Sequence, residues 1–581
     1  MKELFNKNEK PLNRILFCVF CFFLIFVSVF HEPWFDEAQV WMIARDASLY
    51  ELLFVIPHYE GHPALWSLLL AVPAKLGVPF EIGLKIIGFI ITSASAFLII
   101  FRSPFPKYIK YSLPFSFFFF YQGGVVVRPY ALMILLLSLL GYFFNKRNER
   151  PFLYVLLLFL LCCTSAYGIV FACGIALCIV AEIINEKGLK CAVSEIFKDK
   201  RTLSLIFLLI GAVLLILQIM PFEDTFVASI YRKNSYIVIL LCSLFTMIGD
   251  CFFTRSLWFY FDRTLLQTAD IPWYSLLSCI VIGIIIWICI YCVSGRKSFY
   301  YFLIPYLLFA VFSAVVYFNG HHLICTFALF IYWLWIAFDD KDKYHGWRLI
   351  SSRLFNSDKD RVLLTKFLQY FVVVCLGFSI YWTVSSSIMD IVKEYSYGRS
   401  TSSFLKNNNL SDAYIIGAWE VKGSDNEEMD YTNMVAIAVP INAYFDRNIA
   451  FNLNNGNHDK GFMYYRVPSK QENENNYSLI KEKGLPDLML GKPDLKKIFE
   501  DETDIDCYTT VFYMPINYIW KGDKYSAYLP LMIRNDLLDK YNLSEAPIPD
   551  DANISSFELT EEQIQLYSEG KITIEDIVGS N

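Results

Sequence analysis

Long apolar runs separated by short polar breaks dominate residues 1–388. The first is 15–30 (ILFCVFCFFLIFVSVF), preceded by Lys2, Lys7, Lys10 and Arg14. No small-residue cleavage site follows it, and many further apolar runs do. The pattern therefore predicts a first transmembrane helix with a cytoplasmic N-terminus, not a signal peptide. Runs at 63–79, 82–101, 111–122, 129–144, 151–167, 168–184, 203–220, 236–253, 274–294, 299–318, 321–338 and 363–387 are further candidate spans. Basic clusters at Arg102/Lys107/Lys110, Lys146/Arg147/Arg150, Lys187 to Arg201, Arg296/Lys297 and Lys341 to Arg361 mark cytoplasmic ends. That assignment puts 31–62, 123–128, 221–235, 254–273, 319–322 and everything after 387 outside, with short helical pieces at 36–46 and 48–56. Parity needs one exception, because full crossings at both 63–79 and 82–101 would leave Arg102 to Lys110 outside. A segment near 63–81 or 236–253 is therefore expected to be interfacial or re-entrant, and Pro73 and Lys75 make 63–79 the weaker span. The expected architecture is mainly α, a polytopic transmembrane helical bundle of about 11–13 spans over residues 1–388.

The pattern changes at Glu394. Short β-like runs (Tyr414–Ile416, Met434–Val439, Ile449–Phe451, Thr509–Tyr513) alternate with helical stretches. They predict an extracytoplasmic α/β domain over 389–581, with 545–581 as a loosely attached acidic tail. Charge separates the same two objects. Residues 389–581 hold 18 basic and 32 acidic side chains, whereas residues 1–388 hold 32 basic and 24 acidic. With 56% hydrophobic and only 18% charged residues, the chain is neither a disordered segment nor a basic nucleic-acid binder. Fourteen of the 15 cysteines precede residue 389, so Cys507 alone cannot form a disulfide within the outer domain. The CxxC pairs Cys18/Cys21 and Cys289/Cys292 lie in apolar helices, where cysteine acts as a small hydrophobe.

Four polar elements interrupt the apolar pattern, all on the face assigned as external. The first is His31-Glu-Pro-Trp-Phe-Asp36-Glu37-Ala-Gln-Val-Trp41. Asp36 and Glu37 are adjacent on a helix and diverge by about a third of a turn, so they cannot serve one atom equally. A carboxylate near low dielectric has a raised pKa, the condition for a general base working near neutral pH. The competing reading is an acidic first helical turn favoured by the helix dipole. The second element is His58-Tyr-Glu60-Gly-His62-Pro63, where Pro63 fits the first turn of a new helix and His62 sits at its cap. The third is Gln122-Gly-Gly-Val-Val-Val-Arg128-Pro129-Tyr130. Its Arg128 either snorkels or clamps an anion through paired hydrogen bonds. The fourth is Asn319-Gly320-His321-His322, whose imidazoles suit phosphate oxygens or a metal, or are chance loop composition.

An Asp-Glu pair directly after span one, a His-Pro step opening span two and an Arg-Pro-Tyr after a short outer loop resemble the GT-C superfamily of polytopic glycosyltransferases. The closest type is the branch of protein O-mannosyltransferases and lipid A aminoarabinose transferases. The motifs cover about residues 31–130, with Gly320-His321-His322 as a looser match. The resemblance implies a multi-pass protein of a bacterial plasma membrane. It would move a sugar from a polyprenyl-phosphate donor to an acceptor glycan, lipid or protein, usually with inversion. Carried over, Asp36 is the base for the acceptor hydroxyl and Glu37 assists it or organises the loop. His58, Glu60, His62, Arg128, Tyr130, His321 and His322 meet the donor phosphate. Ala64 stands where the family often has a second proline, and 122–130 lacks the second acid of some members, a place that Glu60 or Asp262 could fill. Relatives differ in using a divalent cation, so the metal stays open.

Independently of any family, a nucleotide-sugar donor would call for a cytoplasmic α/β domain. No cytoplasmic segment exceeds about 25 residues and no Gly-rich phosphate loop is present. The competing functions are a polysaccharide polymerase or ligase, a lipid-linked sugar transporter, and a membrane anchor. A transporter calls for mid-span charges and two related halves, and an anchor for only one or two spans.

Overall fold

The computed structural model describes residues 9–189, 198–226, 236–253, 273–316, 318, 320–354, 358–424, 427–499, 507–550 and 552. Asn319, most of 221–235, residues 254–272 (Asp262 among them) and residues beyond 552 lie outside them. Among the described residues, seven helices are long and apolar enough to cross a membrane: Glu9–Phe30, Phe80–Arg102, Ala166–Lys187, Lys200–Ile219, Arg296–Val315, Gly320–Asp339 and Lys366–Val392. Shorter apolar helices are Leu65–Lys75, Tyr130–Lys146, Pro151–Cys162, Leu240–Phe252 and Leu277–Val293. The Gly320–Asp339 helix is buried along most of its length, so it forms the centre of the bundle. The Lys200–Ile219 helix instead exposes Phe207, Leu209, Ile210, Val213, Leu214, Ile216 and Leu217. A stripe that apolar is suited to lipid contact and not to water.

The parity conflict resolves at residues 65–75. Eleven residues reach only about 17 Å as a helix, too short to cross. Lys75 Nζ, at its end, donates to Ala47 O at 2.8 Å, so the helix returns to the face where it began. The next helix, Phe80–Arg102, is long and apolar enough to cross. Lys107 and Lys110 reach Glu9 at 3.9 and 3.1 Å, which puts the Arg102–Lys110 cluster on the same face as the start of the first span.

The candidate span 111–122 is built differently from the expected helix. The chain passes through an α-turn (Lys107–Ser112), a 3₁₀ turn (Leu113–Phe115) and a π-helix (Phe117–Val125). Pro114 disrupts the regular ladder here. Such backbone survives at membrane depth only when enclosed by protein, and every residue of Phe117–Val125 is buried. Gly123 and Gly124, expected in an exposed loop, are inside this segment. A Cβ on Gly123 would lie 2.9 Å from Phe118 O, and one on Gly124 2.8 Å from Leu24 Cδ1. The Val125–Val127 stretch is buried as well, so the outer loop expected at 123–128 is an interior segment.

The last long helix runs Asp358–Val392, a few residues past the expected boundary at 388. Beyond it lies a four-stranded sheet of order β1-β4-β6-β5, with β1 Ile415–Gly417, β4 Leu488–Leu490, β5 Tyr508–Trp520 and β6 Asp523–Arg534. β1 and β4 pair parallel, and the other neighbours pair antiparallel. β2 Glu420–Ser424 and β3 Glu427–Tyr431 make a separate hairpin. The expected strand Met434–Val439 is instead a 3₁₀ turn leading into the helix Val439–Asn442. Pro440 suits a first helical turn and cannot donate to a ladder. The domain shares one apolar core with the segment after span one: Trp41, Met42 and Ile43 pack with Val439, Ile441, Phe462 and Met463. Polar ties reinforce the junction, among them Met463 N to Gln39 Oε1 at 2.9 Å and Arg399 to Glu81 at 2.7 Å.

Candidate functional site

The first span ends at Phe30, and the next residues fix the site. His31 is fully buried, with Nδ1 2.8 Å from Asp390 Oδ2 and Nε2 3.1 Å from Glu37 Oε2. Both ring nitrogens face carboxylates, an arrangement that suits a doubly protonated imidazolium. Burial alone would lower its pKa, but Asp390 and Glu37 outweigh burial and raise it to about 10. Tyr121, from the π-helix, donates to the same Asp390 oxygen at 3.0 Å. This cluster ties the end of span one, the broken crossing and the end of the last span into one knot.

Glu37 carries the knot to the site. Its Oε2 accepts from Trp34 N at 3.2 Å, closing the first turn of the helix Phe35–Asp46. Its Oε1 accepts from Val127 N at 2.7 Å. Val127 precedes Arg128, so Glu37 holds the backbone that presents the guanidinium. Glu37 is itself fully buried.

Asp36 lies a third of a turn away and points elsewhere, as adjacent helical positions must. Its Oδ2 meets Arg128 Nη2 at 2.7 Å, with 28% of the Asp36 side chain and 11% of the Arg128 side chain exposed. Burial raises the Asp36 pKa against the pull of Arg128. The guanidinium is flanked by the rings of Trp34 and Tyr130, 5.5 and 5.1 Å from their centroids. Pro129 then starts the helix Tyr130–Phe143.

The imidazoles converge from two other elements. His322 Nδ1 lies 3.0 Å from Tyr167 OH, and its ring is 5.8 Å from Tyr130. His321 stacks edge-on to His322 at 4.1 Å and lies 6.2 Å from Trp34. His62 is within electrostatic reach of Arg128, His321 and His322. Burial, then Arg128, pushes the His62 pKa down to about 4, so this ring is neutral at neutral pH. Its Nδ1 is buried without a hydrogen-bond partner, and so is Trp34 Nε1. Buried polar atoms of that kind are rare and call for an explanation. Glu60 accepts from Gln39 Nε2 at 2.9 Å. Burial raises it to about 7, against the Gln39 bond and with help from Asp36.

Of the residues singled out in the sequence, Asp36, Glu37, Glu60, His62, Arg128, Tyr130, His321 and His322 share this neighbourhood. His58 does not join them. Its Nδ1 bonds Met220 O at 2.6 Å and its ring stacks on Phe222 at 4.0 Å, away from the site. Among the described residues, no group of three or more His, Cys, Asp and Glu is placed to hold a metal ion. A separate apolar cavity of about 160 Å³, lined by Phe252, Cys289, Phe327, Trp333 and Cys375, includes none of the site residues.

Sequence reasoning missed His31 and Asp390 as partners, although each stands at the polar end of an apolar run. It also missed Tyr395 and Tyr518 from the C-terminal part of the chain. The Tyr518 ring lies 5.7 Å from Trp34 and 6.0 Å from Tyr395, within electrostatic reach of Asp36 and Arg128. No local signal marks Tyr518, because the contact depends on how the domain docks. No protein-family model matches this chain, and no curated protein sequence matches it.

Proposed function

We propose that this protein is a membrane glycosyltransferase of the GT-C type. It transfers a sugar from a polyprenyl-phosphate donor to a hydroxyl-bearing glycan, lipid or protein on the face that carries the outer domain, with inversion. The observation that carries the reading is the Asp36–Arg128 pair at 2.7 Å, at the mouth of an apolar helical bundle and beside three imidazoles. A carrier lipid keeps its chain in the bilayer and its phosphate at the interface, so a phosphate-binding cation belongs at this level. The unpartnered Trp34 Nε1 and the neutral His62 ring are further polar groups that a phosphate or sugar would satisfy.

The chemistry divides between the two partners of the ion pair. With no donor, Arg128 and Asp36 neutralise each other. A donor phosphate competes for the guanidinium, which grips phosphate through paired hydrogen bonds. Asp36 is thereby released as a base in a setting where burial already raises its proton affinity. The acceptor oxygen attacks the anomeric carbon and its proton passes to Asp36. The bond from that carbon to the phosphate oxygen breaks, and the electron pair leaves with the lipid phosphate. Arg128 and the imidazoles meet that charge. Glu37 acts on the geometry, not on the substrate.

The test is transfer from a radiolabelled polyprenyl-phosphate sugar by purified protein in proteoliposomes, with mass analysis of surface glycans from cells with and without the gene. Asp36→Asn is expected to fold and insert normally and to lose transfer. Full transfer by that variant would end the base assignment.

A further inference from the structure

The turn joining β5 to β6 is Lys521-Gly522, with φ of 48° and 80°. Two positive φ angles are what a tight hairpin turn needs, and Asn, Asp or Gly usually supplies the first. A lysine is uncommon in that backbone region, and contacts of its side chain hold it there. Those contacts are inside the helical bundle. Lys521 Nζ donates to Asp250 Oδ1 at 3.0 Å and to the Asp250 carbonyl, and both side chains are fully buried. The aromatic rings of Phe118, Trp382 and Trp520 surround the ammonium at 5.7, 4.8 and 5.6 Å. Gly522 N donates to Ser386 Oγ at 2.9 Å. The hairpin tip is thus seated among the helix ending at Phe252, the π-helix and the last span.

The same strand reaches the candidate site. Side chains two apart on a strand share a face, and Tyr518 and Trp520 are such a pair. Trp520 packs on Phe117 and Phe118 at 5.5 and 5.9 Å, while Tyr518 stands against Trp34 and Tyr395. Asn517 fastens the strand higher up, with N donating to Tyr395 O at 3.1 Å and Nδ2 to Glu394 O at 2.6 Å. We propose that this hairpin is a wall of the site: Lys521 pins its turn to Asp250 and thereby holds the Tyr518 phenol beside Asp36 and Arg128, where it contacts the donor phosphate. Tyr518 is then a substrate-contacting residue supplied by the outer domain, and Lys521 is a positioning residue that acts through it. The inference rests on the reading of the site as a lipid-phosphate site.

The experiment uses full-length protein in nanodiscs, a sugar-free polyprenyl phosphate as the binding probe, and amide hydrogen exchange of 508–534. Tyr518→Phe keeps the ring and the pin. It should weaken probe binding about tenfold, the loss typical of one hydrogen bond to a charged group, with exchange unchanged. Lys521→Met should weaken binding to a similar extent and also speed exchange at the turn. Because Lys521 acts through Tyr518, adding Tyr518→Phe to Lys521→Met should cost little more. Additive losses would assign Lys521 a merely structural role and overturn the coupling. Unchanged exchange in Lys521→Met would overturn the pin. If Arg128→Ala weakens binding while Tyr518→Phe does not, the wall is refuted and the phosphate site stands. Absence of probe binding by the wild type would refute the lipid-phosphate reading itself, while the exchange arm still decides the pin. Should Lys521→Met fail to fold, Tyr518→Phe alone decides the contact and Asp250→Asn the pin.

Discussion

His31→Gln tests the electrostatic knot under the site. The wild-type imidazolium sits fully buried between Glu37 and Asp390, at 3.1 and 2.8 Å. Its pKa is raised from 6.5 to about 10. At about 1.4 kcal/mol per pH unit, that gap corresponds to about 5 kcal/mol of stability for the protonated form. Because the folded pKa lies above the unfolded one, this contribution is complete below pH 6.5 and is lost as pH rises through about 10. Glutamine keeps hydrogen-bonding capacity but no charge, and it leaves the two carboxylates without their cation. Breaking a buried pair in this way costs about 3–5 kcal/mol. The assay is thermal unfolding in nanodiscs, followed by tryptophan fluorescence from pH 6 to 10. Glu32, pushed up to about 8 by burial against the Arg399 N–H bond, titrates in the same window. The quantity compared is therefore the difference between wild type and variant. That difference should be largest near pH 6 and shrink steadily towards pH 10. A constant difference across the range would refute the claim that His31 is charged in the folded protein.

Arg128→Ala should raise the KM for the donor far more than that for the acceptor, and Arg128→Lys should recover it only in part, because an ammonium lacks the paired fork; equal effects on both substrates in transfer assays would contradict the phosphate role. Asp36 lies within reach of Glu60, and its charge helps burial to hold Glu60 near 7. Asp36→Asn should therefore lower the Glu60 pKa, read from its carboxyl band by infrared spectroscopy across a pH titration, and an unmoved value would remove the coupling between the two. Gly123→Ala forces a Cβ to within 2.9 Å of Phe118 O, a backbone atom that cannot swing aside. Overpacking of that kind costs about 1–3 kcal/mol, to be read as a lower unfolding temperature.

Hydrophobic patterning made the long apolar helices and the small C-terminal sheet legible, because lipid and water each demand a composition that side-chain identity alone reveals. Asp36, Glu37 and Arg128 could be nominated for the same reason: polar side chains beside long apolar runs are costly unless they serve a purpose. Which partner each meets was decided by helical phase and by the path of a distant segment. Phase turns Asp36 to Arg128 and Glu37 to Val127 N. The π-helix had no periodic signature, since it depends on the bundle enclosing an irregular backbone. His58 could not be separated from His62 by sequence, because their surroundings, Met220 for one and Arg128 for the other, come from remote segments. The pairs His31–Asp390 and Lys521–Asp250 join residues hundreds of positions apart. A local pattern fixes which groups are polar. Only close packing of remote elements fixes which of them meet in a medium too dry to leave a charge alone.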